Sequence, residues 1–326
     1  MKTIVSGIQP TGNLHIGNYL GAVKNWLELQ KNNEYQLYIF IADLHSLTGK
    51  LSAEELNKQT KITIAELLAL GINPDKVTFF KQSAIKEHTE LAWFFSCVTP
   101  ISELYRMTQF KDKSEAQTKN INSGLLTYPI LQAADILLYK GDAVPVGEDQ
   151  VQHIELTRDT ARWFNKKYKT NFFPETKHLL THIPKIKSLL EPGKKMSKSL
   201  GSGHVIELAD EPEVIQKKLN KAVTASEGGN NSPGAKNLLT LLKEFGSIEK
   251  YNLFVKTEKD GDIRYGDLKT ELTESIARYF AEFRKTRDKL LNNPEKLEKI
   301  MIHGAKKAKK IAQKNMEEIR KIIGLT

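Results

Sequence analysis

Apolar positions in the first hundred residues alternate between two spacings. Thr3-Ile-Val-Ser6 is a short β-branched run, and Tyr35-Gln-Leu-Tyr-Ile-Phe-Ile-Ala42 and Val77-Thr-Phe-Phe80 have the compact apolar character of buried strands. Between the first two, Ile16, Leu20, Val23 and Leu27 recur at helical spacing, which predicts a helix from about Ile16 to Gln30. A second helix is expected from Ala53 to Leu70, stopped at Gly71 with Pro74 just beyond. Strand and helix in alternation imply right-handed crossovers and a parallel sheet, hence an α/β fold. Ligands of such sheets bind beyond the carboxyl ends of the strands, where the first turn lies.

The pattern then changes. Gln109 to Gly124 is polar and poorly periodic, and residues 192–204 are rich in Gly, Ser and Lys, so both are expected to be loops. From about residue 205 long Lys- and Glu-rich helical patterns dominate, broken at Gly228-Gly229-Asn230-Asn231-Ser232-Pro233-Gly234. The expected organisation is an α/β domain over residues 1–204 and a mainly helical domain over 205–326, the last helix of which could pack back on the first domain.

Composition narrows the function classes. No run approaches the roughly 20 apolar residues of a membrane span. Met1 to Pro10 lacks a basic stretch followed by an apolar core, so a cytoplasmic protein without membrane attachment is expected. Cys97 is the one cysteine, which excludes an internal disulfide and a multi-cysteine zinc site; its apolar neighbours predict a reduced core thiol. The net charge is +10, and Lys296 to Thr326 holds nine Lys or Arg against three Glu, with Lys306, Lys307, Lys309 and Lys310 clustered. Such a cluster suits either a solvated helix face or a phosphate-contacting surface.

Two segments carry candidate chemistry. In Gln9-Pro-Thr-Gly-Asn-Leu-His-Ile-Gly-Asn18, Gly12 and Gly17 allow backbone to approach a ligand, and a strand feeding a helix through this turn presents N–H groups to an anion. His15 can donate to a phosphate oxygen. The G-x-G-x-x-G dinucleotide spacing is absent. In Lys194-Lys195-Met196-Ser197-Lys198-Ser199, two lysines three apart beside hydroxyl side chains can hold a polyphosphate.

Together, an H-I-G-H-like turn and a complete K-M-S-K-S sequence 180 residues later resemble the class I aminoacyl-tRNA synthetases. Asn18, where the second His of that turn usually stands, resembles the tryptophanyl branch. So do Gly17-Asn-Tyr-Leu-Gly-Ala22, Met107-Thr-Gln-Phe-Lys111, Gly124-Leu-Leu-Thr-Tyr-Pro-Ile-Leu-Gln-Ala-Ala-Asp-Ile-Leu138 and Val144-Pro-Val-Gly-Glu-Asp-Gln-Val-Gln-His-Ile-Glu155.

The resemblance implies a Rossmann-like catalytic domain, a homodimer, and ATP, Mg²⁺, L-tryptophan and tRNA(Trp) as ligands. It implies that Lys195 and Lys198, with Lys111 on the polar loop, neutralise the pyrophosphate, and that Gln9, Thr11 and His15 face the phosphates. Pro10, Met196, Ser197 and Ser199 shape the same nucleotide site. Gly17 and Asn18 would let the adenosine pack close, Ile186 would meet the adenine through its backbone, and Gly147, Glu148 and Asp149 would hold the ribose. Asp135, in an otherwise apolar helical stretch, would accept the indole N–H; Tyr128 and Gln150 would take the ammonium and carboxylate end, with His45 lining the pocket. Gln132 stands where a Met is common and Val5 where an aromatic is common, so the pocket packing departs from the best-known bacterial pattern. A tyrosyl enzyme and a small-acid adenylyltransferase are the competing readings. The adenylyltransferase would not need over 100 helical residues or a basic tail.

Overall fold

The structure, a computed structural model, describes residues 1–110, 121–180, 186–224 and 232–325. The chain forms two compact units, one of Met1–Gly12, Asn25–Thr181 and Leu290–Thr326, the other of Asn13–Lys24 and His182–Lys289.

The first unit is built on five parallel strands: β1 (Lys2–Ile8), β2 (Tyr35–Ile41), β3 (Val77–Lys81), β4 (Ala143–Val146) and β5 (Lys177–Leu180), in the order β3-β2-β1-β4-β5. β1 and β2 pair in register from Lys2↔Tyr35 to Ile8↔Ile41. The strand order reverses at β1, so the crevice between the ends of β1 and β4 is the topological switch point, where such sheets bind ligands. The first three strands and their parallel pairing follow the apolar runs. β4 and β5 did not stand out. β4 is four residues long and includes Pro145, which lacks an N–H, and the side chains of β5 are only half-buried or exposed.

Helix Ala53–Ala69 opens on Ser52, whose hydroxyl accepts from Glu55 N while the Glu55 carboxylate accepts from Ser52 N, and it stops before Gly71 at φ +107°. Helices Glu87–Ser96 and Val151–Lys167 pack on Ser123–Leu137. The last helix, Pro294–Ile323, lies against β3 so closely that a Cβ on Gly304 would stand 1.7 Å from Phe79 O. Asn315 Nδ2 donates to Leu138 O at 2.8 Å, and Arg320 grips both oxygens of Glu90 at 2.8 and 2.6 Å. Lys306, Lys307, Lys309 and Lys310 are all exposed. Cys97 is exposed too, correcting the expected core thiol: it caps the end of Glu87–Ser96, where Leu91 and Phe95 turn inward and Trp93 and Cys97 do not.

In the second unit the stretch expected to be helical from Ile16 is Ile16–Asn18, a π-helical turn Tyr19–Val23, and Lys24–Leu29, whose residues beyond Lys24 belong to the first unit. Tyr19 meets Phe280 edge-on at 5.2 Å, and its hydroxyl shares a 2.6 Å hydrogen bond with that of Tyr279. Helices Pro212–Lys221, Pro233–Phe245, Ile248–Asp260 and Tyr265–Tyr279 follow. Residues 192–204 hold only the short 3-10 turns Lys198–Leu200 and Ser202–His204, in keeping with the expected loop.

Candidate active site

In the first unit the carboxyl ends of β1 and β4 lead into the segments singled out for the nucleotide. Ile8 runs into Gln9, Pro10 and Thr11, where Thr11 N donates to Gln9 O at 2.9 Å to close a turn. Val146 runs into Gly147 and the 3-10 turn Glu148–Gln150, which leaves the Glu148 and Asp149 carboxylates exposed and Gln150 half-buried. Because β1 and β4 are neighbours, these two turns flank the switch point.

Helix Ser123–Leu137 carries Tyr128, Gln132 and Asp135, spaced by four and three residues and therefore on one face. Asp135 is 1% exposed, and a carboxylate there must be saturated with hydrogen bonds. It is. His88 Nδ1 donates to Oδ1 at 2.6 Å, His45 Nε2 to Oδ2 at 2.8 Å, and Gln82 Nε2 reaches both oxygens at 2.8 and 2.9 Å. Burial alone would raise its pKa; the hydrogen bonds and positive character of His45 and His88 outweigh burial and hold it below the usual carboxylate value. Of the three partners only His45 reaches the surface at all, at 6% exposure against 0% for Gln82 and His88. His45 also meets the Tyr128 ring edge-on at 6.3 Å. The Tyr128 hydroxyl bonds His153 Nε2 at 2.8 Å, and burial pushes its pKa up to about 12, so it stays protonated. Gln132 is half-buried, and Val5 is fully buried in the core.

In the second unit His15 caps Ile16–Asn18, its backbone N–H donating to Asn18 Oδ1 at 3.1 Å. The turn is stitched to the segment after the lysines: Ile16 N donates to Ile206 O, Leu208 N to Leu14 O, and Asn13 Nδ2 to Glu207 Oε2. A Cβ on Gly17 would lie 2.8 Å from the His15 ring, so a larger residue there would make the imidazole shift. Burial, then the charges of Lys198 and Lys195, lower the His15 pKa to about 4, so the imidazole is neutral at pH 7 and sits in the field of both lysines. Lys194 is instead paired with Glu191 at 2.6 Å. Met196 is buried and its N–H donates to Ile186 O at 3.1 Å, which anchors the lysine loop through Ile186. Ser197 and Ser199 share a 2.8 Å hydroxyl hydrogen bond.

The candidate residues therefore form two sets, each within one unit. Gln9, Pro10, Thr11, His45, Tyr128, Gln132, Asp135, Gly147, Glu148, Asp149 and Gln150 belong to the first, and His15, Gly17, Asn18, Ile186, Lys195, Met196, Ser197, Lys198 and Ser199 to the second. The unit boundary at Gly12–Asn13 falls inside the first motif. Lys111 lies outside the described residues. Sequence reasoning missed Gln82, His88, Tyr139 and His153. The available signal was a buried carboxylate in an apolar helix, which demands donors from elsewhere in the chain.

The family model for class I tRNA synthetases (W and Y) matches residues 1–281. The tryptophan–tRNA ligase of Clostridium tetani is 43% identical, over 99% of this chain and 96% of its own. That of Rickettsia conorii is 41% identical, over 99% and 98%. Among solved structures, the tryptophanyl-tRNA synthetase of Campylobacter jejuni, complexed with ADP and tryptophan, superposes with a TM-score of 0.87 at 34% identity, covering 99% of this chain and 100% of that one. The Mycoplasma pneumoniae enzyme does so with 0.88 at 36% identity, covering 100% and 98%. With matches of this length and identity, the chain belongs to the tryptophan–tRNA ligases, the tryptophanyl branch of the class I aminoacyl-tRNA synthetases.

Proposed function

We infer that this chain uses ATP to activate L-tryptophan as tryptophanyl-adenylate and passes the acyl group to tRNA(Trp). A tryptophan carboxylate oxygen attacks the α-phosphorus and diphosphate leaves. A terminal ribose hydroxyl of the tRNA then attacks the acyl carbonyl and AMP leaves. The observation that carries the substrate is Asp135, a dry, ionised acceptor on the helix face shared by Tyr128 and Gln132. The indole N–H is a donor with no acceptor function, and it takes the place on Oδ2 that His45 Nε2 holds in the free chain. A side chain that displaces His45 without supplying that donor leaves Asp135 short of a partner, which is how such sites discriminate by roughly 10⁴–10⁵-fold. Tyr128 and Gln150 take the ammonium and carboxylate.

Charge grows on the α-phosphate and the departing diphosphate, so the step needs positioning and positive charge more than a strong base. Lys195, Lys198 and Lys111 neutralise the diphosphate. Gln9, Thr11 and the neutral His15 donate to the phosphates, with Pro10, Met196, Ser197 and Ser199 shaping the site. Gly17 and Asn18 admit the adenosine, Ile186 meets the base through its backbone, and Gly147, Glu148 and Asp149 hold the ribose. Mg²⁺ would come with the nucleotide and add positive charge against the phosphates; no set of three His, Cys, Asp or Glu side chains is gathered among the described residues.

The enzyme works in the cytoplasm as a homodimer, and the exposed apolar side chains Trp93 (68%), Ile101 (62%) and Tyr105 (52%) suit a second copy. The catalytic domain spans residues 1–204, and the helical domain from 205 and the lysine face of Pro294–Ile323 meet tRNA phosphates. Tryptophan-dependent ATP–pyrophosphate exchange tests the reading, with tyrosine as the competing substrate. Asp135→Ala is expected to lose tryptophan activation and keep ATP binding. Unchanged tryptophan exchange in that variant removes Asp135 from its role.

A further inference from the structure

Behind Asp135, on the side away from His45, stands a chain of buried polar groups that the reaction does not use directly. The Tyr139 hydroxyl is 2.9 Å from His88 Nε2, and His88 Nδ1 is 2.6 Å from Asp135 Oδ1. Tyr139 and His88 are 3% and 0% exposed, and neither is reached from solvent. Tyr139 is held flat against Tyr38, with ring centroids 4.5 Å apart, and edge-on to Phe80 at 5.8 Å. The His88 ring lies among Phe40, Phe80 and Tyr139.

We propose that His88 and Tyr139 are positioning residues that set tryptophan specificity by fixing the orientation of the Asp135 carboxylate. The proposal rests on Asp135 being the indole acceptor. A carboxylate on a helix can rotate about χ2, and a rotating acceptor discriminates poorly because it can satisfy itself elsewhere. Here Oδ1 is tethered by a donor whose own position is locked. Burial, followed by the nearby acidic groups, keeps the Tyr139 phenol protonated far above its ordinary range, so its proton is available to His88 Nε2. With the Tyr139 hydroxyl donating to Nε2, the Nδ1 proton of His88 points at Asp135. This assigns a division of labour: His88 and Gln82 hold the carboxylate from the dry side, and the remaining valence of Oδ2, facing His45, is the one that reads the ligand.

Two amino acids test this in the pyrophosphate-exchange assay: tryptophan and its benzothiophene isostere, in which sulfur replaces the indole N–H. The isostere leaves the buried acceptor unpaired, which gives the wild-type enzyme a preference for tryptophan of roughly 10⁴–10⁵-fold in kcat/KM. Tyr139→Phe, which removes one hydroxyl without changing the packing volume, is expected to lower that ratio about threefold to tenfold. His88→Leu, which also removes the donor to Oδ1, is expected to lower it by about tenfold or more. His88→Asn places an amide N–H where Nδ1 stood and is expected to restore part of the ratio. In all three the KM for ATP and the kcat/KM for the isostere stay within about twofold, because only the donor-reading contact is loosened.

If His88 and Tyr139 merely fill the core, tryptophan and the isostere fall together and the ratio stays at its wild-type value; that result overturns the proposal. Should His88→Leu fail to fold, Tyr139→Phe alone decides. An Asp135→Ala arm separates the two levels. A ratio that survives Asp135→Ala refutes the underlying reading, whereas a ratio that collapses there but holds in Tyr139→Phe and His88→Leu refutes only the positioning role.

Discussion

His15 makes acid stability a test of the proposed phosphate site. Its pKa stands at about 4 against an ordinary 6.5, first because the ring is buried and then because Lys198 and Lys195 oppose a third positive charge. Above pH 6.5 the imidazole is neutral whether the chain is folded or unfolded, and it contributes nothing to the pH dependence. As the pH falls from 6.5 towards 4, the unfolded chain binds a proton that the folded chain refuses, so stability falls. Below about 4 the folded ring is protonated as well and the loss levels off. At about 1.4 kcal/mol per pH unit, the gap between the two values is worth about 3 kcal/mol. Glutamine at this position keeps a polar side chain of similar reach and cannot titrate. Urea unfolding of wild type and His15→Gln at several pH values between 7 and 4.5 isolates the effect, because every other titrating group is common to both chains. The wild type is expected to lose about 2–3 kcal/mol more than the variant over that range. Parallel curves would show that His15 keeps an ordinary pKa, and that the lysines do not act on it as the geometry requires. Removing both lysines recovers only part of the shift, since burial is the largest single cause.

Two other perturbations follow from packing. Gly304→Ala places a methyl group 1.7 Å from Phe79 O, a backbone atom in a sheet that cannot give way, so the helix must move. Although alanine improves helix propensity by about 1 kcal/mol, a net loss of about 2–4 kcal/mol is expected. A melting temperature within a degree of wild type would refute the close approach. Trp93→Glu puts a charge into the exposed apolar set with Ile101 and Tyr105 and is expected to weaken self-association at least tenfold. Sedimentation velocity showing an unchanged dimer would place the interface elsewhere.

Where sequence was informative, it was because a local rule and a distant motif agreed. β1, β2 and β3 announce themselves as apolar runs between helical spacings, and Gly71 with Pro74 marks a helix end that the folded chain uses. β4 was hidden because a four-residue strand containing Pro145 contradicts the usual propensity, and only its place between β1 and β5 makes it a strand. Asp135 was visible as an unlikely carboxylate, but its partners were not. Gln82 and His88 lie 53 and 47 residues away and carry no local pattern of their own. Nor does any periodicity announce a Gly304 that touches a strand more than two hundred residues earlier. Pairwise satisfaction of a buried charge is a property of the folded chain, and no window of sequence contains it.

In the proposed roles the two sets of residues answer opposite physical demands, which fits how differently they are built. Rejecting phenylalanine or the isostere requires an acceptor that cannot find a substitute partner. Asp135 is therefore dry, saturated from behind and held on a helix whose inner face is core. Neutralising a departing diphosphate requires charge that can follow a moving group. Lys195 is accordingly exposed and Lys198 half-buried, both on a loop of short turns held by Met196 N to Ile186 O and Ser188 N to Lys194 O. A buried, fixed lysine would lose solvation and its charge with it, and a solvent-exposed Asp135 would find water in place of the missing indole. Specificity and catalysis therefore fail by different mutations: loosening the partners of Asp135 should raise the KM for tryptophan while leaving ATP untouched, and shortening either lysine should lower kcat with tryptophan binding preserved.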